Sequence, residues 1–171
     1  YYRICVEARD GYSRGHGCYR SSRNIRMVGE SLDISDLLFA SSIGPAGDGD
    51  TFVRGTLRVV PHPMRAYRRP GAIEVYYEIY GLDTDDGDVA FYSVEYSITP
   101  LEKRRSGLRL VNAGTVISSR FRTSAYGRTQ RERIEIDTGE LWEGAFRLSV
   151  EVTDERTKET VTAEGRFSVV E

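Results

Sequence analysis

Residues 72–99 read AIEVYYEIYGLDTDDGDVAFYSVEYSIT and decide the fold. Ile73, Val75, Tyr77 and Ile79 fall on one side of an extended chain, and Tyr92, Val94, Tyr96 and Ile98 repeat the pattern. Period-two alternation is what a half-buried antiparallel strand requires. Between the two runs, Gly81 to Asp88 is rich in Gly and Asp, residues that tolerate the backbone angles of turns. The stretch predicts a hairpin in the middle of a β-sandwich.

Similar signals surround it. Phe52 to Val60 predicts a strand with Leu57 and Val59 inward. Pro61, Pro63 and Pro70 then break the run. Leu108 to Phe121 is less regular and divides at Asn112–Gly114. Gln130 to Asp137 contributes Ile134 and Ile136. Ala145 to Thr153 aligns Phe146, Leu148, Val150 and Val152, and Val161 to Val169 aligns Val161, Ala163, Phe167 and Val169. About seven strands with turn signals every 8–12 residues or so predict an all-β, antiparallel, immunoglobulin-like or fibronectin-III-like sandwich over residues 51–171. A Cys–Trp–Cys core is absent from the pattern. Trp142 precedes a strand and is expected to plug one end of the sandwich.

Residues 1–50 read as a preceding segment, either an addition to the sandwich or the remainder of another β domain. Tyr2, Ile4, Val6 and Ala8 alternate with Arg3, Cys5 and Glu7, a turn lies near Asp10–Ser13, and Tyr19 to Val28 returns. Glu30 to Ile43 carries helix-capping residues at Asp33 and Ser35, yet Ile34, Ser41, Ser42 and Ile43 favour an extended chain. Gly44 to Asp50, GPAGDGD, reads as a linker. The chain opens at Tyr1 inside a strand-like run, the start expected of a processed or truncated piece.

The 171 residues suffice for a substantial core, and no apolar run is long enough for a membrane span. A formal net charge of −2 gives no whole-chain case for nucleic acid. Lys103 and Lys158 are the only lysines, so 22 of the 24 basic residues are Arg. Arg pairs with carboxylates and stacks on rings, although GC-rich coding explains the same bias. Arg65, Arg68 and Arg69 with Tyr67, the cluster Lys103–Arg104–Arg105, and Arg120 to Arg133 with Phe121 and Tyr126 mix cations and rings. Acidic residues are as numerous, so these read as solvated faces.

Several phrases taken together carry a family resemblance: SDLLFASSI from Ser35, FVRGTLRVVPHP from Phe52, VYYEIYGL from Val75, YSVEYSITPLE from Tyr92 and EVTDERTKETVTAEGRFSVVE from Glu151. The chain resembles the C-terminal region of bacterial GWxTD domain-containing proteins from about Tyr2 onward. The block that names the family is absent. The resemblance implies export and β-sandwich modules, and it implies no defined biochemical role.

Candidate chemistry is sparse. Asp83, Asp85, Asp86 and Asp88 crowd one turn, and closely spaced carboxylates can supply oxygens to Ca²⁺. The EF-hand pattern fails, because counting from Asp83 puts Gly87 fifth and Val94 twelfth. The turn is therefore read as solvated, with no metal and no cofactor assigned; Asp48 and Asp50 are weaker still. Cys5 and Cys18 flank the first turn and lie roughly opposite each other if the flanking runs pair, so a cross-strand disulfide and two free thiols are both open. His16 and Cys18 in HGC offer two metal ligands, but no second pair is visible; His62, between two prolines, reads as an exposed loop residue. There is no GxSxG elbow. Paired carboxylates for glycoside cleavage meet only in a fold and leave no mark here.

Tyr76 and Tyr80 point away from the inward face of their strand, and tyrosines suit interfaces. Either the N-terminal hairpin covers them or a partner does; the intramolecular cover is the expectation taken here. The chain is thus read as a non-enzymatic, extracytoplasmic module that meets a protein partner or the cell envelope. Self-assembly by strand addition and carbohydrate binding are the alternatives.

Overall fold

Alternation along the chain is realised as strands in a computed structural model, which describes residues 1–13, 15–25, 27–101, 104–106, 109–111 and 114–171, with the backbone alone for 104–106 and 109–111. In chain order the strands are β1 (Tyr2–Arg9), β2 (His16–Arg23), β3 (Asp33–Ile34), β4 (Leu38–Pro45), β5 (Val53–Arg54), β6 (Leu57–Pro61), β7 (Ala66–Arg68) and β8 (Ala72–Tyr80). There follow β9 (Val89–Pro100), β10 (Arg104–Ser106), β11 (Arg109–Val111), β12 (Ile117–Tyr126), β13 (Gln130–Asp137), β14 (Gly144–Asp154) and β15 (Thr160–Val170). A single 3₁₀ turn at Thr138–Glu140 is the only helical element among the described residues. The protein is all-β.

Two sheets face each other. One runs β12-β9-β14-β15-β7 and the other β13-β8-β4-β6-β5, with β3 beside β8. All pairings are antiparallel except that of β7 with β15. The central hairpin is divided between the sheets: β8 belongs to the six-stranded sheet and β9 to the five-stranded one. Their inward residues therefore meet across the core rather than within one ladder. Ile73, Val75, Tyr77 and Ile79 pack with Tyr92, Val94, Ile98, Phe146, Leu148, Val150 and Val152, all buried. Each such side chain contributes about 1.5–3 kcal/mol by leaving water.

Residues 33–45 belong to this sandwich. β4 lies between β8 and β6, with Leu38 opposite Tyr76 and Ile43 opposite Val59. The expected boundary at 50/51 therefore cuts through one sheet. GPAGDGD is the connection of a hairpin within that sheet: its first two residues finish β4, Ala46 N–H donates to Thr56 O at 2.9 Å, and Gly47 N–H donates to the Asp50 carboxylate at 2.7 Å. The extended reading of Glu30 to Ile43 outweighs the helical one because β8 offers Leu38 and Phe39 a ladder partner and burial for Phe39. Before it, the chain at Ser31 crosses against Gly81, whose φ is 69°; a Cβ there would meet Ser31 O at 2.1 Å.

The prolines mark a change of sheet. β6 ends at Pro61 in the six-stranded sheet, and β7 lies beside β15 in the other. His62 bridges the crossing. It is half-buried rather than exposed, donating its N–H to Phe39 O at 2.8 Å, with its ring 4.8 Å from Tyr67 and Nε2 3.1 Å from Ala66 O. Tyr67 is buried and donates its hydroxyl to Ala40 O at 3.0 Å, tying one sheet to the other. At the same end, where β14 begins, Trp142 packs on Phe146 with centroids 5.4 Å apart, and Leu141 beside it is buried. The irregular segment expected at 108–121 begins in a short β10–β11 hairpin and becomes regular only at Ile117. The proposed split at Asn112 lies outside the described residues.

β1 and β2 pair only with each other. Every residue of β1 is exposed, and in β2 only Ser21 is half-buried. The hairpin does not lie on the sandwich, which overturns the expected intramolecular cover.

Candidate interaction surfaces

The outer face of the six-stranded sheet is built from the alternate residues of β8. Glu74, Tyr76, Glu78 and Tyr80 point outward, opposite Glu135, Arg133 and Arg131 of β13 and, at the strand end, Asp33 of β3. The Glu78 carboxylate joins the two tyrosines: Tyr76 donates its hydroxyl to Oε1 at 2.5 Å and Tyr80 donates to Oε2 at 2.5 Å. Arg131 Nε lies 3.9 Å from the same carboxylate. Partial burial opposes ionisation of Glu78, but the two hydroxyls with Arg131 and Arg54 outweigh it and hold the carboxyl below its ordinary range. Burial and the adjacent carboxylate push Tyr80 up to about 12 and raise Tyr76 as well.

Tyr76 is buried without the hairpin's help. Ala40, Ile43 and Val59, flanked by Leu38 and Leu57, form a second small apolar cluster around its ring. A bulge between Ala40 and Ser42 interrupts the β4–β6 ladder, and Ile43 N–H donates to Glu74 Oε2 at 2.8 Å. Tyr80 remains half-buried. It borders a hollow shared with Asn24, Ile25 and Val28, so the segment after β2, not β2 itself, approaches it. Of the predicted pair, Tyr76 is therefore a packed residue, and Tyr80 is the more exposed of the two.

The N-terminal hairpin offers two unlike faces. Tyr2, Ile4, Val6 and Ala8 share one with Tyr19, and Tyr2, Ile4, Val6 and Tyr19 are each 45–64% exposed. Arg3, Cys5, Glu7 and Arg9 share the other with Arg20, Cys18 and His16. Cys5 stands opposite Arg20 and Cys18 opposite Glu7, so the cysteines are diagonal neighbours rather than directly opposed. Their sulfurs nonetheless lie 3.2 Å apart as free thiols, because diagonal side chains on one face lean toward each other. With Glu7 they form the only gathering of three metal-ligating side chains among the described residues.

The acidic turn is pinned by its own hydrogen bonds. Asp85 accepts from Gly87 N–H and Val89 N–H at 2.9 Å each. Asp83 pairs with Arg156 at 2.8 Å, and its N–H donates to the buried Asp154 at 2.7 Å. Asp154 also accepts from Arg156 N–H and Thr157 N–H, locking this turn to the β14–β15 hairpin. Asp83, Asp85, Asp86 and Asp88 do not converge three oxygens on one point among the described residues.

Arginines expected on solvated faces pair locally. Arg120 lies 3.9 Å from Glu95, and Arg122 lies 3.4 Å from Glu155. Phe121 and Tyr126 are exposed beside them on β12, whereas Tyr67 in the first stretch is buried and offers no stacking surface. Lys103 and the side chains of Arg104 and Arg105 lie outside the described residues. No protein-family model matches the chain, and no curated protein matches it. No helix among the described residues is long and apolar enough to cross a membrane.

Proposed function

We propose that this chain is a non-enzymatic, immunoglobulin-like β-sandwich module of a larger exported bacterial protein, and that its N-terminal hairpin docks a protein partner. One observation carries the reading: the Tyr2–Ile4–Val6–Tyr19 face of the hairpin is uncovered, while the sandwich behind it is complete. A two-stranded ribbon is marginal alone in water, so a partner laying an apolar surface on that face stabilises both. The exported, extracytoplasmic setting is supported by the resemblance to the C-terminal region of GWxTD domain-containing proteins.

A specific observation favours self-association as the second reading. Among the described residues the outer edges of β1 and β2 are unpaired, and an unpaired edge accepts an added strand through backbone hydrogen bonds. Photo-crosslinking from position 6 on the face, position 8 at its end and position 118 on the sandwich separates the cases. Docking predicts crosslinks to another protein from position 6 that are absent from position 118. Crosslinks to a second copy select self-association. Equal yields from all three positions would refute the docking face.

A further inference from the structure

We infer that the polar face of the N-terminal hairpin is a thiolate site for a zinc-class divalent cation, held by Cys5, Cys18 and Glu7, with solvent in the fourth position. Zinc takes four such donors in a tetrahedron. Bonds near 2.3 Å to sulfur and 2.0–2.2 Å to oxygen give donor–donor edges of about 3.5–3.8 Å. Cys5 Sγ lies 3.2 Å from Cys18 Sγ and 4.0 Å from Glu7 Oε1, distances that bracket those edges. All three donor atoms fall within 4.8 Å of one another.

His16 lies on the same face but opposite Arg9, four residues along β1 from Cys5, too far for its ring to share an ion with the Cys5 thiolate. Arg20, directly opposite Cys5, supplies the positive charge that two thiolates and a carboxylate around a divalent ion leave uncompensated. The site also accounts for the ribbon itself. A metal that draws β1 and β2 together replaces the core that the hairpin lacks.

The fully reduced whole chain is titrated with Co²⁺ as a spectroscopic probe, then with Zn²⁺ in competition. The expected result is one equivalent of tetrahedral Co²⁺ with a thiolate-to-metal charge-transfer band, displaced by one equivalent of Zn²⁺. Cys5→Ser and Cys18→Ser each lose the band. Glu7→Gln keeps it and binds more weakly, and His16→Ala changes neither band nor affinity. Diamide, which takes one hydrogen from each thiol and joins the sulfurs, abolishes binding. Because the hairpin contributes nothing to the buried core, all variants should retain the melting temperature of the sandwich, which separates ligand loss from misfolding. A missing band in the reduced chain, or a band that survives Cys5→Ser, would overturn the site; unchanged affinity in Glu7→Gln would overturn the carboxylate ligand.

Discussion

The Phe39 ring lies directly on Gly165. A Cβ at 165 would come within 2.4 Å of Phe39 Cε2 and 3.0 Å of Cζ. Phe39 comes from β4 and Gly165 from β15, so the contact joins the two sheets where the ring also tilts against Phe167, which in turn meets Tyr67 edge-on. Arg65 covers the other side of the ring, its guanidinium 5.1 Å from the centroid.

Gly165→Ala is therefore expected to destabilise the sandwich by about 1–3 kcal/mol, the cost of overpacking a dense interior. Urea unfolding checks it. The usual gain from replacing a strand glycine would appear instead if the ring had room to move. Combining the change with Phe39→Leu should recover part of the loss.

Tyr77 is fully buried, and its hydroxyl has no hydrogen-bond partner among the described residues. Burial raises its pKa, with a smaller contribution from Glu132. An unpaired buried hydroxyl costs about 1–3 kcal/mol. Tyr77→Phe should thus leave stability unchanged or raise it by about 1 kcal/mol. A drop in the urea midpoint would contradict the orphan hydroxyl and point to a buried water in its place.

Acid should weaken the outer face through Glu78. Its folded pKa is lowered from the ordinary 4.5, so its ionised form favours the fold. That stability is complete above the unfolded value and is lost as pH falls through the folded one. Glu78→Gln should cost most at neutral pH, about 1–3 kcal/mol, with the difference from wild type shrinking below pH ~4. A difference that stays constant down to acid would exclude the linkage.

Truncation separates the hairpin from the sandwich. Deleting residues 1–28 should leave the cooperative unfolding transition nearly unmoved, because no residue of β1 or β2 is buried. Deleting residues 1–45 removes β4 from between β8 and β6 and should abolish that transition. Circular dichroism with thermal melting reads both; equal effects would place the hairpin in the folding unit after all.

The strands of the core were legible because their apolar residues alternate. Ile73 to Ile79, Tyr92 to Ile98, Phe146 to Val152 and Val161 to Val169 face inward as the period requires. What alternation leaves open is partnership. Nothing local to Leu38 and Phe39 says that they pair with Tyr76 and Val75, or that β8 and β9 lie in different sheets. The switch at Pro61 was visible as a break but not as a crossing. The gathering of Cys5 and Glu7 beside Cys18 was missed for the same reason. His16 and Cys18 are neighbours in the chain, whereas Cys5 and Glu7 arrive from the opposite strand in a register that the turn sets.

Long-range pairing also has a timetable. Leu38 is made well before its partner Tyr76, which follows 38 residues later. At roughly 5–20 residues per second, β4 waits about 2–8 s for the strand that will cover it. For that interval Leu37, Phe39 and Ile43 form an apolar, unpaired segment in a nascent chain. The sheet cannot close until the β8 strand has been made, so residues 37–43 stay without their ladder partner through that interval, while the β1–β2 hairpin already has its own.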